Sequence, residues 1–167
     1  MPIDNKISVS TFQNVDGSNF TTAGAETGIR GDKGSLSFYG GIGTNFTKGS
    51  TGVVFDFKGS VNYGDTPLSG AVRIRNNING NDPHAQIRVQ PATITIPVAE
   101  NAKVYATPYM ATKISYKTGD TNTKFGVFSG VSQKVGKVSV FVEGQLYDLT
   151  KVNKSTVGVN GGISIPF

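Results

Sequence analysis

The sequence predicts an all-β chain folded as an up-and-down antiparallel β-barrel of ten strands, or of eight if residues 65–102 form a long excursion. Three observations carry this reading. Period-two alternation of apolar and polar residues runs along almost the whole chain, while helical periodicity is nearly absent. The alternating runs are long, several reaching ten residues or more, against about 5–6 for an ordinary globular strand. Short clusters of Gly, Asn, Asp and Ser separate the runs at regular intervals, as turns do. At 167 residues the chain fits one domain, residues 1–167, with residues 1–5 expected as a disordered N-terminal segment.

Turn signals at 16–18, 31–34, 48–50, 64–67, 76–83, 100–101, 118–120, 134–137 and 150–154 divide the chain into the ten strands. The clearest run is 53–63. Val53, Phe55, Phe57, Gly59, Val61 and Tyr63 share one face; Val54, Asp56, Lys58, Ser60 and Asn62 share the other. Before it, Leu36, Phe38, Gly40, Ile42, Thr44 and Phe46 oppose Ser37, Tyr39, Gly41, Gly43 and Asn45. After it, Val104 to Tyr116, Phe125 to Val131 and Val138 to Leu146 repeat the pattern. Strand six changes parity: Ile87 and Val89 are odd, Ile94, Ile96 and Val98 even, with Pro91 between. A bulge reconciles the two halves, since Pro is tolerated at bulges and not in central ladders. Nearly all connections are short, so each strand pairs with its sequence neighbours. The longest is expected at 76–83.

Composition bounds the chemistry. There is no cysteine, so disulfides, thiolate metal sites and cysteine nucleophiles are excluded. A single histidine excludes multi-His metal sites, and neither metal nor cofactor is expected. The net charge of +5 is spread along the chain without the clustered basic face of a nucleic-acid binder. No apolar run approaches the roughly 18 residues of a transmembrane helix. The first residues lack a charged segment followed by an apolar one, so no secretory signal is expected. That fits a cytosolic chain, a mature chain given an initiator Met, or an uncleaved export signal.

With 37% hydrophobic residues and a mean hydropathy of −0.17, the chain reads at first as a soluble basic protein. Alternation changes what those figures mean, because a strand with one apolar face averages to near-neutral hydropathy. Two arrangements remain open. A soluble barrel or sandwich turns the apolar face inward, and the chain would then be a secreted or cytosolic binding module. A membrane barrel turns that face outward and keeps the polar face in its lumen. The run lengths match the 9–11 residues of a tilted membrane-crossing strand. In this second arrangement Phe55, Phe57, Val61, Val138, Val140, Val142, Ile163 and Ile165 face lipid. With both termini on the periplasmic side, 76–83 falls on the outside, where such barrels keep longer loops.

The last segment places apolar or small residues at 157, 159, 161, 163 and 165 and stops on Phe167. Here the chain resembles bacterial outer-membrane β-barrel proteins, whose last strand carries this alternation and a terminal Phe. The resemblance implies a bacterial outer-membrane location, a lipid bilayer as partner, and a signal read by the barrel-assembly machinery at Val159, Ile163, Ile165 and Phe167. It covers the chain as architecture and about ten residues as motif. Pro166 departs from the pattern, and the absence of Trp thins the aromatic girdles. Phe20, Phe46, Tyr63, Tyr116 and Phe167 stand near strand ends in their place. No oligomeric state follows from it.

Arg73, Arg75 and Arg88 share the polar face of the hairpin around 76–83, and Asp56, Lys58 and Glu143 belong to the same face of their strands. Neighbouring guanidinium groups in a lumen could bind an anion or bias a pore toward anions. They could equally pair with Glu26, Asp56 or Glu143 and fill a narrow interior, which is the preferred expectation; in a soluble protein they would be a solvated face. His84 beside Asp82 has no nucleophile specified by spacing, and a solvated loop histidine explains it. The 40–43 glycine run lies inside a strand with no helix after it, which excludes a phosphate loop. No catalytic site is expected. The resulting expectation is a non-enzymatic barrel, a narrow pore or a structural and surface-interaction protein.

Overall fold

A computed structural model describes residues 2–78, 82–154 and 156–167. It contains ten strands: β1 Ile3–Asn14, β2 Asn19–Gly31, β3 Gly34–Asn45, β4 Ser50–Asn62, β5 Leu68–Asn77, β6 His84–Ala99, β7 Ala102–Ser115, β8 Thr121–Val135, β9 Val138–Leu146 and β10 Val157–Pro166. Each pairs antiparallel with its sequence neighbours, and β10 pairs with β1 to close the barrel. Closure leaves no edge strand, so every strand of this polar backbone can satisfy its ladder within the barrel. Ten strands therefore form, not eight, and 65–102 contributes β5 and β6.

The N-terminal residues do not lie outside the barrel. Ile3 already pairs with Ile29, and Lys6 pairs with both Glu26 and Pro166. The longest connection is also not the expected one. β5 continues to Asn77 and β6 begins at His84, so 78–83 spans six residues, whereas 147–156 spans ten. Both lie at the end of the barrel away from the termini. The end that carries the termini has turns of only two residues after β2, β6 and β8. Between Val135 and Val138, Gly136 takes a φ of +62° and Lys137 does not have a positive φ, the II′ geometry whose twist matches the flanking strands.

The parity change in β6 is accommodated as expected. The ladder is interrupted between Val89 and Ile94 on the β7 side and between Ser69 and Ala71 on the β5 side. Tyr63 crosses the small Gly70 and donates its hydroxyl to the Pro91 carbonyl at 2.7 Å, tying the β4–β5 turn to the bulge.

The two faces are inverted relative to a soluble protein. Phe57, Val142, Val159, Ile163 and Ile165 are exposed on the outside, with Ile7, Leu36, Ile42, Val72 and Phe125 in the same belt. Hydroxyl pairs mark its far rim: Thr11 with Thr21 at 3.0 Å and Thr44 with Thr51 at 3.1 Å. Inside, the buried set is mostly polar, including Asp56, Gln90, Thr107, Glu143 and Gln145. A soluble barrel with these strands would hide Phe57 and Val142 and show Asp56 and Glu143.

The interior packs aromatic rings against glycines. Tyr39 covers Gly24 and Gly41, Phe20 covers Gly43, Tyr109 covers Gly126, Phe12 covers Gly158 and Phe141 covers Gly162. A Cβ at Gly126 would lie 2.5 Å from the Tyr109 ring and 2.6 Å from the Leu146 carbonyl oxygen. Phe20, placed among the girdle residues by its position near a strand end, belongs instead to this interior layer. Its even parity on β2 puts it on the same face as Thr22 and Glu26. Phe46, Tyr63, Tyr116 and Phe167 remain exposed near the ends.

Candidate functional site: a cationic lumen

The inward positions of all strands line a central cavity of about 740 Å³. Six cationic side chains (Lys6, Lys58, Arg73, Arg75, Arg88 and Lys103) and three carboxylates (Glu26, Asp56 and Glu143) face it. A second cavity of about 240 Å³ lies at the far end, bordered by Lys48, Asn77, Asp82, His84 and Gln86. Phe20 and Arg75 line both cavities. These two side chains therefore form the partition between them.

Register explains how the charges meet. Asp56 of β4 stands directly opposite Arg75 of β5, and Lys58 opposite Arg73. Arg73 in turn stands opposite Arg88 of β6. Asp56 is almost fully buried and takes both arginines of β5. Arg73 Nε donates to its two oxygens at 2.8 and 2.6 Å, and Arg73 Nη2 donates to Oδ2. Arg75 donates to Oδ2 from Nε at 3.2 Å and Nη2 at 3.0 Å. The bidentate fork fixes Arg73 in orientation as well as in charge.

Arg88 is treated differently. Its guanidinium carbon lies 4.4 Å from the centre of the Tyr109 ring, a cation–π distance. Its Nε is buried with no hydrogen-bond partner. Among the described residues neither Arg88, Lys58 nor Lys103 enters a salt bridge, whereas Lys6 pairs with Glu26 at 3.1 Å. Glu143 of β9 meets no cation within salt-bridge distance. It accepts instead from Tyr105 at 2.8 Å, Gln145 at 2.5 Å and Asn160 at 2.9 Å. Glu143 on β9 thus stands apart from the Asp56 clamp and the cations of β4–β6.

Of the lumen residues expected from sequence, the structure gathers Asp56, Arg73 and Arg75 into one clamp. It sets Lys58 and Arg88 beside that clamp and places Glu143 elsewhere. Of the three expected partners, Asp56 pairs with Arg73 and Arg75, and Glu26 and Glu143 do not pair with the arginines. The clamp occupies part of the interior, and a cavity remains beside it. Sequence reasoning passed over Tyr105, which donates to Glu143, and Tyr109, on which Arg88 lies. The available signal was an aromatic on the polar face across from a glycine, as Tyr109 is from Gly126.

At the far mouth, Asp82 joins Lys113, and His84 Nδ1 lies 2.7 Å from the Asp82 carbonyl oxygen. Partial burial pushes the Asp82 carboxyl up, but the hydrogen bond and charge of Lys113 outweigh it and hold the group below the ordinary value of 3.8. His84 is thereby tied to the loop, and among the described residues no side-chain hydroxyl hydrogen-bonds to its ring. Residues 79–81 of the expected loop lie outside the described residues.

A closed antiparallel barrel with an apolar outer belt, a polar interior and strands of nine to sixteen residues is a transmembrane β-barrel of the outer-membrane type. No protein-family model matches the chain, and no curated protein does. Solved structures do. The KdgM porin superposes with a TM-score of 0.53 over 97% of this chain and 99% of that one, at 11% identity. A chain from a de novo design of transmembrane β-barrels gives 0.45 over 100% and 98%, at 13% identity. A loop-deleted OmpT, an outer membrane protein of Vibrio cholerae, gives 0.43 over 89% of this chain and 54% of that one, at 16% identity. At these identities the likeness is one of fold.

Proposed function

We propose that this barrel is a non-enzymatic, narrow, anion-preferring pore of a bacterial outer membrane. The observation that carries the reading is the charge of the lumen: six cations face one cavity with three carboxylates, and among the described residues Lys58, Arg88 and Lys103 are in no salt bridge. Rings of basic side chains favour anions in a pore by lowering the electrostatic barrier to entry. The outer belt supports the location, because Val142 and Ile163 would otherwise expose apolar surface to water. Val159, Ile163, Ile165 and Phe167, on and just after the strand that closes the barrel, serve in this reading as the signal for the barrel-assembly machinery.

Conductance across planar bilayers under a salt gradient tests it. The expected result is a small conductance whose reversal potential favours chloride over potassium. Lys58→Glu, which reverses a charge without breaking the Asp56 clamp, should move selectivity toward cations. A folded, inserted barrel with no conductance would refute the pore and leave a structural role.

A further inference from the structure

The lumen holds an arrangement that a folded chain by itself leaves unbalanced. Lys58, Arg73 and Arg88 follow one another in register across three adjacent strands. Directly opposite side chains have Cβ atoms about 4.5–5.5 Å apart, and like charges there repel. Asp56 of the same wall is already shared by Arg73 and Arg75. Lys58 and Arg88 stand beside that clamp, and among the described residues neither reaches a carboxylate in a salt bridge. Arg88 is laid flat on Tyr109, which leaves its Nε a buried donor with nothing to donate to. All of these residues except Tyr109 border the 740 Å³ cavity, so a solute there lies beside them.

We propose that the Lys58–Arg73–Arg88 row is a binding site for a doubly charged oxyanion, either inorganic phosphate or the phosphomonoester group of a small solute. Two charges match the two cations, Lys58 and Arg88, that make no salt bridge among the described residues. Lys58 and Arg88 stand on β4 and β6, two strand spacings or about 9.6 Å apart, with Arg73 between them, so their long side chains must converge on one tetrahedral group that offers oxygens in several directions. A carboxylate carries one charge and presents its two oxygens in a single plane. The site's use in transport rests on the pore reading, but its occupancy does not.

The test is calorimetric titration of inorganic phosphate into the whole barrel folded in detergent, at low ionic strength and pH 8. One saturable site is expected, with acetate binding at least about tenfold more weakly. Arg88→Gln and Lys58→Gln should each weaken phosphate by about tenfold or more, the loss of one charge-assisted hydrogen bond. Lys137→Gln, in the β8–β9 turn, should not. Arg88→Lys, which keeps the charge and removes the Nε donor, serves as a second variant should Arg88→Gln fail to fold, and should also weaken phosphate. No saturable phosphate binding, acetate binding as tight as phosphate, or equal binding by wild type and the folded lumen variants would each overturn the proposal. An anion-selective conductance with no phosphate site would overturn this inference alone. A phosphate site in a barrel that does not conduct would overturn the pore alone.

Discussion

Replacing Asp56 by Asn keeps the size of the side chain and removes the one negative charge between Arg73 and Arg75. The carboxylate is nearly buried, with 5% of its side chain exposed, and the arginines retain 30% and 25%. Breaking a buried ion pair from one side costs about 3–5 kcal/mol, because the remaining charge is left uncompensated. Lumen water reaches both guanidinium groups, which places the expected loss near the lower limit, about 3 kcal/mol. The chain has no Trp, so the measurement is urea unfolding in vesicles followed by the sheet band in circular dichroism. The midpoint should fall without a change in slope. Asp56→Asn combined with Arg75→Gln should recover part of the loss, since one stranded cation is gone. In the bilayer the single variant should also become more anion-selective. A midpoint unchanged from wild type would refute the reasoning, for it would mean that lumen water screens the arginines and the clamp contributes nothing. A double variant that loses the full sum of both single changes would refute the account of repulsion among the cations.

Two further predictions concern the two faces of the wall. Gly126→Ala forces a Cβ to within 2.5 Å of the Tyr109 ring and 2.6 Å of a backbone oxygen, and overpacking of this kind costs about 1–3 kcal/mol. Gly144→Ala, on the outer face with nothing within 4 Å of the added carbon, should change stability by less than about 0.5 kcal/mol; equal effects in unfolding titrations would contradict the ring-on-glycine packing. Val142→Arg lies midway along β9 and should cost about 2–4 kcal/mol in vesicles, while Val98→Arg beside the β6–β7 turn should cost about 0–1 kcal/mol. Equal losses at the two depths would remove the bilayer from the account of this surface.

Much of the architecture is legible in the chain because its signals are local. Alternation from Val53 to Tyr63 sets a strand with two unlike faces whatever lies beside it. The glycine and asparagine clusters set the turns, and the parity change around Pro91 requires a bulge wherever β6 packs. Where local signals weaken, so did the reading. Residues 3–5 carry little alternation of their own and are strand only because β2 pairs with them. The 147–156 connection outgrows 78–83 because β9 stops at Leu146, a matter of pairing that composition does not report. Phe20 reads as a girdle residue by its place near a strand end, yet parity turns it onto Gly43.

The sequence by itself determined that this is an all-β chain of paired amphipathic strands with no thiol chemistry. Tertiary structure alone decided which face is the inside. A period-two pattern is unchanged when the sheet is turned over, so only closure of β1 on β10 places Phe57 and Val142 outward and Asp56 inward. Cross-strand register likewise decided the charge partners. Arg73, Arg75 and Arg88 are alike in sequence, yet the first two share Asp56 while the third lies on Tyr109, because an ion pair depends on which residues stand opposite.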